Sequence, residues 1–154
     1  MNLDQMAHRC PGAKVIGTVR LDGYRLTFAG GERNGVATIR PAADSHVDGV
    51  LWDISEWAES KLDRYEGYPD FYGKETITVT DKAGNAHEVM AYTMNAPYRI
   101  MLSVPDVSYL YGIVAGCRQN GINPQHVYDA FEQICQKAEM QERPRQPYRR
   151  GLYR

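Results

Sequence analysis

No stretch of the sequence approaches the roughly 18 consecutive apolar residues that a membrane-spanning helix requires. The opening segment, "MNLDQMAHRCPG", also lacks the apolar stretch of a secretory signal. Charge of one sign is missing too. Lys and Arg number 18 against 19 Asp and Glu, a formal net charge of −1, so no overall field draws the chain to nucleic acid or an anionic surface. Cysteine is scarce. Cys10, Cys117 and Cys135 are odd in number and widely spaced, which fits reduced thiols in a cytoplasmic protein rather than a disulfide framework. No C-x-x-C or H-E-x-x-H pattern offers metal ligands, so no metal is expected. No G-x-x-x-x-G-K-[ST], G-x-G-x-x-G or G-x-S-x-G segment marks a phosphate cradle, a dinucleotide site or a hydrolase elbow. "FAGGERNG" is glycine-rich but has no helix pattern after it, and reads as a loop. Phenylalanine is rare at three residues, whereas tyrosine reaches eleven. A tyrosine offers an apolar ring with a polar tip, which suits the wall of a polar cavity.

What is present fits one domain with a real core in 154 residues. Residues 2–9 predict a short helix before Pro11-Gly12. "AKVIGTVRLDGYRLTFAG" alternates loosely, as one long strand or two shorter ones bent near Asp22-Gly23. "VATIRPA" predicts a strand ended by Pro41, and "HVDGVLWDIS" a second strand bent at Gly49. Ser55 caps a helix through "EWAESKLDRYE" that Gly67 and Pro69 stop. "YGKETITVTD" and "AHEVMAYTMN" are strands joined by the turn "KAGN". "SVPDVSYLYGIVAGCRQNG" predicts a helix with Ser103 as cap and Gly121 as stop, and Pro124 opens another through "PQHVYDAFEQICQKAEMQ". The order is strands, a short helix, a hairpin and two helices. It argues a single α+β domain over 1–142, with a mostly antiparallel sheet curled toward a small barrel and flanked by helices. Residues 143–154, "RPRQPYRRGLYR", form a basic tail without an acidic residue.

The stretch "LDRYEGYPDFY" concentrates the chemistry. Asp63 and Glu66 share a helix face by spacing. One reading is a solvated helix end with Lys61 and Arg64 as partners. The other is a carboxylate presented at a corner, since Gly67 frees the backbone after Glu66. Tyr65, Tyr68, Phe71 and Tyr72 supply apolar surface around it. Desolvation raises a carboxyl pKa toward the range useful for proton transfer.

This block, "LDRYEGYPDFYGKETITVT", resembles the Asp-x-x-Glu-Gly block of the γ-glutamylcyclotransferase-like family. "GTVRLDGYRLTFAG", "NGVATIRPAADSHVDGVLWDIS", "VMAYTM" and "PDVSYLYGIVAGCRQNGI" resemble further family segments in the same order, over residues 1–128. The resemblance implies an enzyme of the lyase or transferase type that cyclises a γ-glutamyl group to 5-oxoproline and releases an amine, without metal or cofactor. It implies Glu66 as the acid/base, and Tyr92 and Tyr109, with Tyr72 more weakly, as substrate-lining residues. The family's Tyr-Gly-Ser-Asn loop, whose backbone amides hold the substrate carboxylate, would fall immediately before Met1. A chain without it is expected to show weak or no turnover and to carry an unpaired strand edge that invites a homodimer.

Three functions compete on these residues. The leading one is the cyclising enzyme acting on a small molecule with a γ-glutamyl or similar amide group. A second is a binding protein that keeps the cavity and sequesters a small ligand. Nucleic-acid binding through the arginines and tyrosines of the tail comes last, because the net charge is balanced.

Overall fold

The computed structural model describes residues 1–31 and 34–142, and the basic segment 143–154 lies outside them. Helix α1 spans Leu3–Arg9, and the Asn2 side chain caps it by accepting from the Gln5 amide. Strand β1 spans Lys14–Ala29 and strand β2 spans Val36–Asp53. Helix α2 covers Glu56–Glu66, and the hairpin strands β3 and β4 cover Tyr72–Asp81 and Ala86–Met94. A short 3-10 turn at Tyr98–Ile100 leads to helices α3, Val107–Gln119, and α4, Gln125–Glu142. No described helix is long and apolar enough to cross a membrane.

The four strands form one sheet in the order β2-β1-β3-β4, and every pairing in it is antiparallel. The β1–β2 ladder runs nearly the full length of both strands. The β1–β3 ladder holds only at Val19↔Asp81 and Arg20↔Thr80. The sheet curls nonetheless: the Tyr72 hydroxyl on β3 donates to the Ala37 carbonyl on β2, although these strands are not neighbours in the order.

Two expectations fail in β2. The strand continues through Pro41, which pairs with Tyr24. A proline is tolerated there because β2 is an edge strand, where a missing N–H breaks no ladder on the open side. The ladder's register shifts lie at Val15/Gly17 and Asp22/Tyr24 rather than at Gly49, which pairs in register with Val19. Gly23 takes φ +77° at the second of these, a conformation natural to glycine. Ser103 is not the α3 cap either. Asp106 caps the helix by accepting from the Ser108 amide at 2.8 Å, and the Ser103 hydroxyl donates instead to the Gly31 carbonyl. Aspartate in the extended conformation directly before the first turn satisfies an amide that Ser103, four residues away from the helix start, cannot reach.

The main core lies between β1 and the two C-terminal helices, where Phe28, Val114, Cys117, Val127 and Ile134 are buried together. A smaller cluster of Cys10, Ala58 and Leu62 locks α1 against α2. That second cluster positions the functional corner, because Arg9 and Cys10 close α1 and Glu66 closes α2.

Candidate active site

Glu66 is the last residue of α2, and the local sequence explains why the helix ends there. Ser55 starts the helix by accepting from the Ala58 amide at 3.2 Å. Gly67 ends it in the left-handed conformation at φ +67°, and the Tyr68 amide turns back to the Asp63 carbonyl at 2.9 Å. This closing bond satisfies a carbonyl that the helix leaves open, and the left-handed step suits glycine. The final side chain is thereby aimed off the helix flank. Glu66 is half-buried and lies at the edge of a cavity of about 380 Å³. The cavity is walled mostly by aliphatic side chains of the sheet, among them Leu21, Val50, Ile77 and Val89, with Tyr92 and Met6 near Glu66's helix.

Among the described residues the Glu66 carboxylate takes part in no hydrogen bond or ion pair. Burial pushes its pKa above the ordinary glutamate value, and the nearby Arg9 charge opposes that rise. The corner therefore holds a carboxyl poised above its usual range beside a fixed cation.

Of the three tyrosines expected to line the site, only Tyr92 lines this cavity; Tyr72 and Tyr109 are not among its lining residues. The Glu66 charge contributes to the upward pKa shift of Tyr72, Tyr92 and Tyr109 alike, after the larger effect of burial. Their hydroxyls are nevertheless engaged by the protein. Tyr72 is buried and donates to the Ala37 carbonyl at 2.6 Å. Tyr109 accepts from the Ala37 amide at 2.9 Å. Together the pair holds the N–H and the C=O of one β2 residue, and only Tyr109 keeps its hydroxyl proton for another acceptor. Tyr92 lines the cavity and donates to Asp63 at 2.5 Å.

Asp63 in turn faces Lys74, whose ammonium lies 2.8 Å from Asp63 Oδ1 and 2.6 Å from Glu59 Oε1. Burial would raise the Asp63 pKa. Hydrogen bonds from Lys74 and Tyr92 and the Lys74 charge outweigh it and hold the group below the ordinary aspartate value. Asp63 and Glu66 thus differ in state although they share a helix face: one is a paired, low-pKa structural anion, the other an unpaired, raised-pKa group. The two carboxyls therefore sit in environments that push their pKa values in opposite directions.

Arg9, Lys74 and Glu59 were not singled out in the sequence. Arg9 stacks on Tyr65 with its guanidinium carbon 4.0 Å from the ring centroid, a contact that only the docking of α1 on α2 creates. Among the described residues no cluster of three or more His, Cys, Asp or Glu is arranged to hold a metal. A larger concavity of about 490 Å³ shares only Val19 with the cavity at Glu66. Two of its charges pair with each other, Arg20 with Asp48 at 3.6 Å, and its Asp81 pairs with His87 at 2.8 Å, whereas its Asp22 and Lys82 enter no ion pair among the described residues.

Residues 2–110 match a family profile described as "Gamma-glutamyl cyclotransferase, AIG2-like". The Drosophila melanogaster protein CG2811, whose name assigns it provisionally to the gamma-glutamylcyclotransferases, is 30% identical over 71 residues. That match takes in 46% of this chain and 45% of the relative, so it spans about half the relative's length. A solved structure titled gamma-glutamyl cyclotransferase superposes with a TM-score of 0.74 at 21% identity, covering 89% of this chain and 91% of the other. The human protein loc79017 superposes with a TM-score of 0.73 at 24% identity, covering 86% and 79%. Bacillus subtilis YkqA gives 0.69 at 18% identity over 86% of this chain and 48% of its own. At these identities the structural likeness establishes the fold.

Proposed function

The chain belongs to the gamma-glutamyl cyclotransferase, AIG2-like family, and from that premise we propose that it cyclises a γ-glutamyl amine or peptide to 5-oxoproline and releases the amine, with Glu66 as general acid/base. One observation carries this reading: an unpaired carboxyl, its pKa raised by burial, is presented at a helix corner on the edge of a cavity. The reaction needs little else. The substrate's α-amino nitrogen attacks its own γ-carbonyl carbon, forming the C–N bond of the lactam. The original γ-amide C–N bond breaks, and its electron pair stays with the departing nitrogen. One proton leaves the attacking nitrogen and one reaches the leaving nitrogen, and a single carboxyl can accept the first and deliver it as the second. The attack is intramolecular, so the protein's main task is to hold the glutamyl chain folded.

The tyrosines fit supporting roles. The Tyr92 ring forms wall, and Tyr109, outside the residues that line the cavity, keeps a hydroxyl proton for a substrate oxygen that reaches it. The test is direct: wild-type protein incubated with a panel of γ-glutamyl amines releases 5-oxoproline, detected by mass spectrometry. Absence of product from every member would remove the reading.

A second reading is ligand retention without turnover. It is favoured by the commitment of the Tyr72 and Tyr92 hydroxyl protons to Ala37 and Asp63, which leaves Glu66 with few partners for chemistry. Calorimetric binding of a γ-glutamyl amine that is recovered intact after long incubation would select it.

A further inference from the structure

We infer that Arg25, Arg40 and Arg99 form a binding site for a small molecule carrying a phosphate group, a site independent of the γ-glutamyl reading. The three arginines line one concavity of about 530 Å³, a volume in the range of small-molecule sites. Among the described residues that line it, Glu75 is the one carboxylate. The concavity is therefore a local excess of positive charge on a chain whose formal net charge is −1. Among the described residues none of the three arginines enters an ion pair, whereas Arg20 and Lys74 both do. Ile39 also lines the cavity at Glu66, and the two hollows share no other described residue.

The backbone dictates this clustering. Arg25 on β1 and Arg40 on β2 are ladder partners, directly opposite each other. Cross-strand partners stand on the same face of a sheet, and like charges so placed repel. Arg99 arrives from far along the chain, on the 3-10 turn Tyr98–Ile100. That turn is seated by the Tyr98 ring, packed on Phe71 with centroids 4.8 Å apart, and by the Arg99 amide, which donates to the Asn95 carbonyl at 3.0 Å. The Arg40 guanidinium donates to the Arg99 carbonyl, which ties β2 to the turn, and Arg99 itself is exposed. Three cations that the ladder and the turn force together gain from an anion placed between them. A carboxylate brings one charge and two oxygens, enough for one arginine fork. A phosphate monoester brings nearly two charges and three acceptor oxygens, which suits three arginines. Tyr24, Ile39 and Met94 add wall for the carbon skeleton that carries the phosphate.

The experiment titrates the full chain calorimetrically with phenyl phosphate in phosphate-free buffer, with benzoate at matched ionic strength as the single-charge control. Wild type is expected to bind phenyl phosphate saturably and about 10-fold or more tighter than benzoate, the scale of one charge-assisted bond. Arg25→Gln and Arg99→Gln are each expected to weaken that binding by a similar factor. Glu75→Gln removes the opposing carboxylate and should tighten it several-fold, a gain that a misfolded variant cannot mimic. The full chain also carries the basic segment 143–154, so the substitutions rather than binding itself decide where the phosphate sits. Unchanged affinity in folded Arg25→Gln and Arg99→Gln would overturn the inference. So would equal affinity of wild type for benzoate, or no saturable binding of phenyl phosphate. A single-stranded oligonucleotide that binds through these arginines where phenyl phosphate does not would overturn it in favour of nucleic acid.

Discussion

Tyr92 shows how a residue can sit in the right place and still do a different task from the one its type suggests. Its ring lines the cavity, but its proton is given to Asp63, which Lys74 also holds. Tyr92→Phe is therefore expected to cost about 1 kcal/mol of stability at neutral pH, the ordinary scale of one hydrogen bond, measured by urea unfolding. The sign with pH is fixed. Asp63 has its folded-state pKa lowered, so its bonds stabilise above the ordinary value of 3.8 and the benefit is lost as pH falls below it. The Tyr92→Phe penalty should shrink in the same window. A variant of unchanged stability but sharply reduced turnover would show instead that the hydroxyl works on the substrate. Little of this was legible in the sequence. Asp63 and Glu66 look equivalent there, three residues apart on one face, and only partners on the hairpin, Lys74 and Tyr92, separate their states. Arg9 is more extreme: its partner Tyr65 lies in another helix, and no local spacing announces the contact. The Tyr72–Ala37–Tyr109 clamp is invisible for another reason, since its acceptor and donor are backbone atoms that any residue would offer.

Helix α2 was the most legible element, because its start and stop depend on neighbours in sequence. Ser55 caps and Gly67 terminates as local rules require. The hairpin β3–β4 was legible for the same reason, with its turn held by Asp81, which accepts from the Ala83 and Asn85 amides. β2 and the start of α3 were not. Whether proline ends a strand depends on whether that strand is an edge, and this is decided by the sheet as a whole. The corner after α2 carries a prediction. A Cβ at position 67 would sit in a left-handed conformation and 3.1 Å from Phe71 Cβ. Gly67→Ala should therefore cost about 1–2 kcal/mol by chemical denaturation. It should also lower kcat more than a distant change of equal destabilisation, because it re-aims Glu66. Equal stability and activity in the variant would show that the corner is not what presents the carboxyl.

The whole molecule divides its labour between two clusters of unequal weight. The larger packs α3 and α4 on β1 and holds the fold. The smaller joins α1 to α2 and holds the site. Phe28 is fully buried in the larger one, so Phe28→Ala should destabilise by about 3–5 kcal/mol through lost burial and the cavity left behind. A loss under about 1 kcal/mol by thermal or urea unfolding would mean that this cluster is not the core. The α+β class and the antiparallel hairpin were legible at this scale. The sparse β1–β3 ladder, joined at Val19 and Arg20 alone, was not, because it reflects how far the two strands diverge in three dimensions.

The central claim is that the Glu66 carboxyl moves the proton. Its most direct test is the rate of 5-oxoproline release by wild type and Glu66→Gln, from the same γ-glutamyl amine across pH. Burial raises the Glu66 pKa, so the wild-type rate should climb with pH along an acidic limb lying above the ordinary glutamate value of 4.5, as the base form appears. Glu66→Gln should lose at least about 100-fold in kcat and lack that limb, while remaining folded, since the change removes a partly desolvated charge. A Glu66→Gln protein that retains wild-type rate and the same acidic limb would contradict the account.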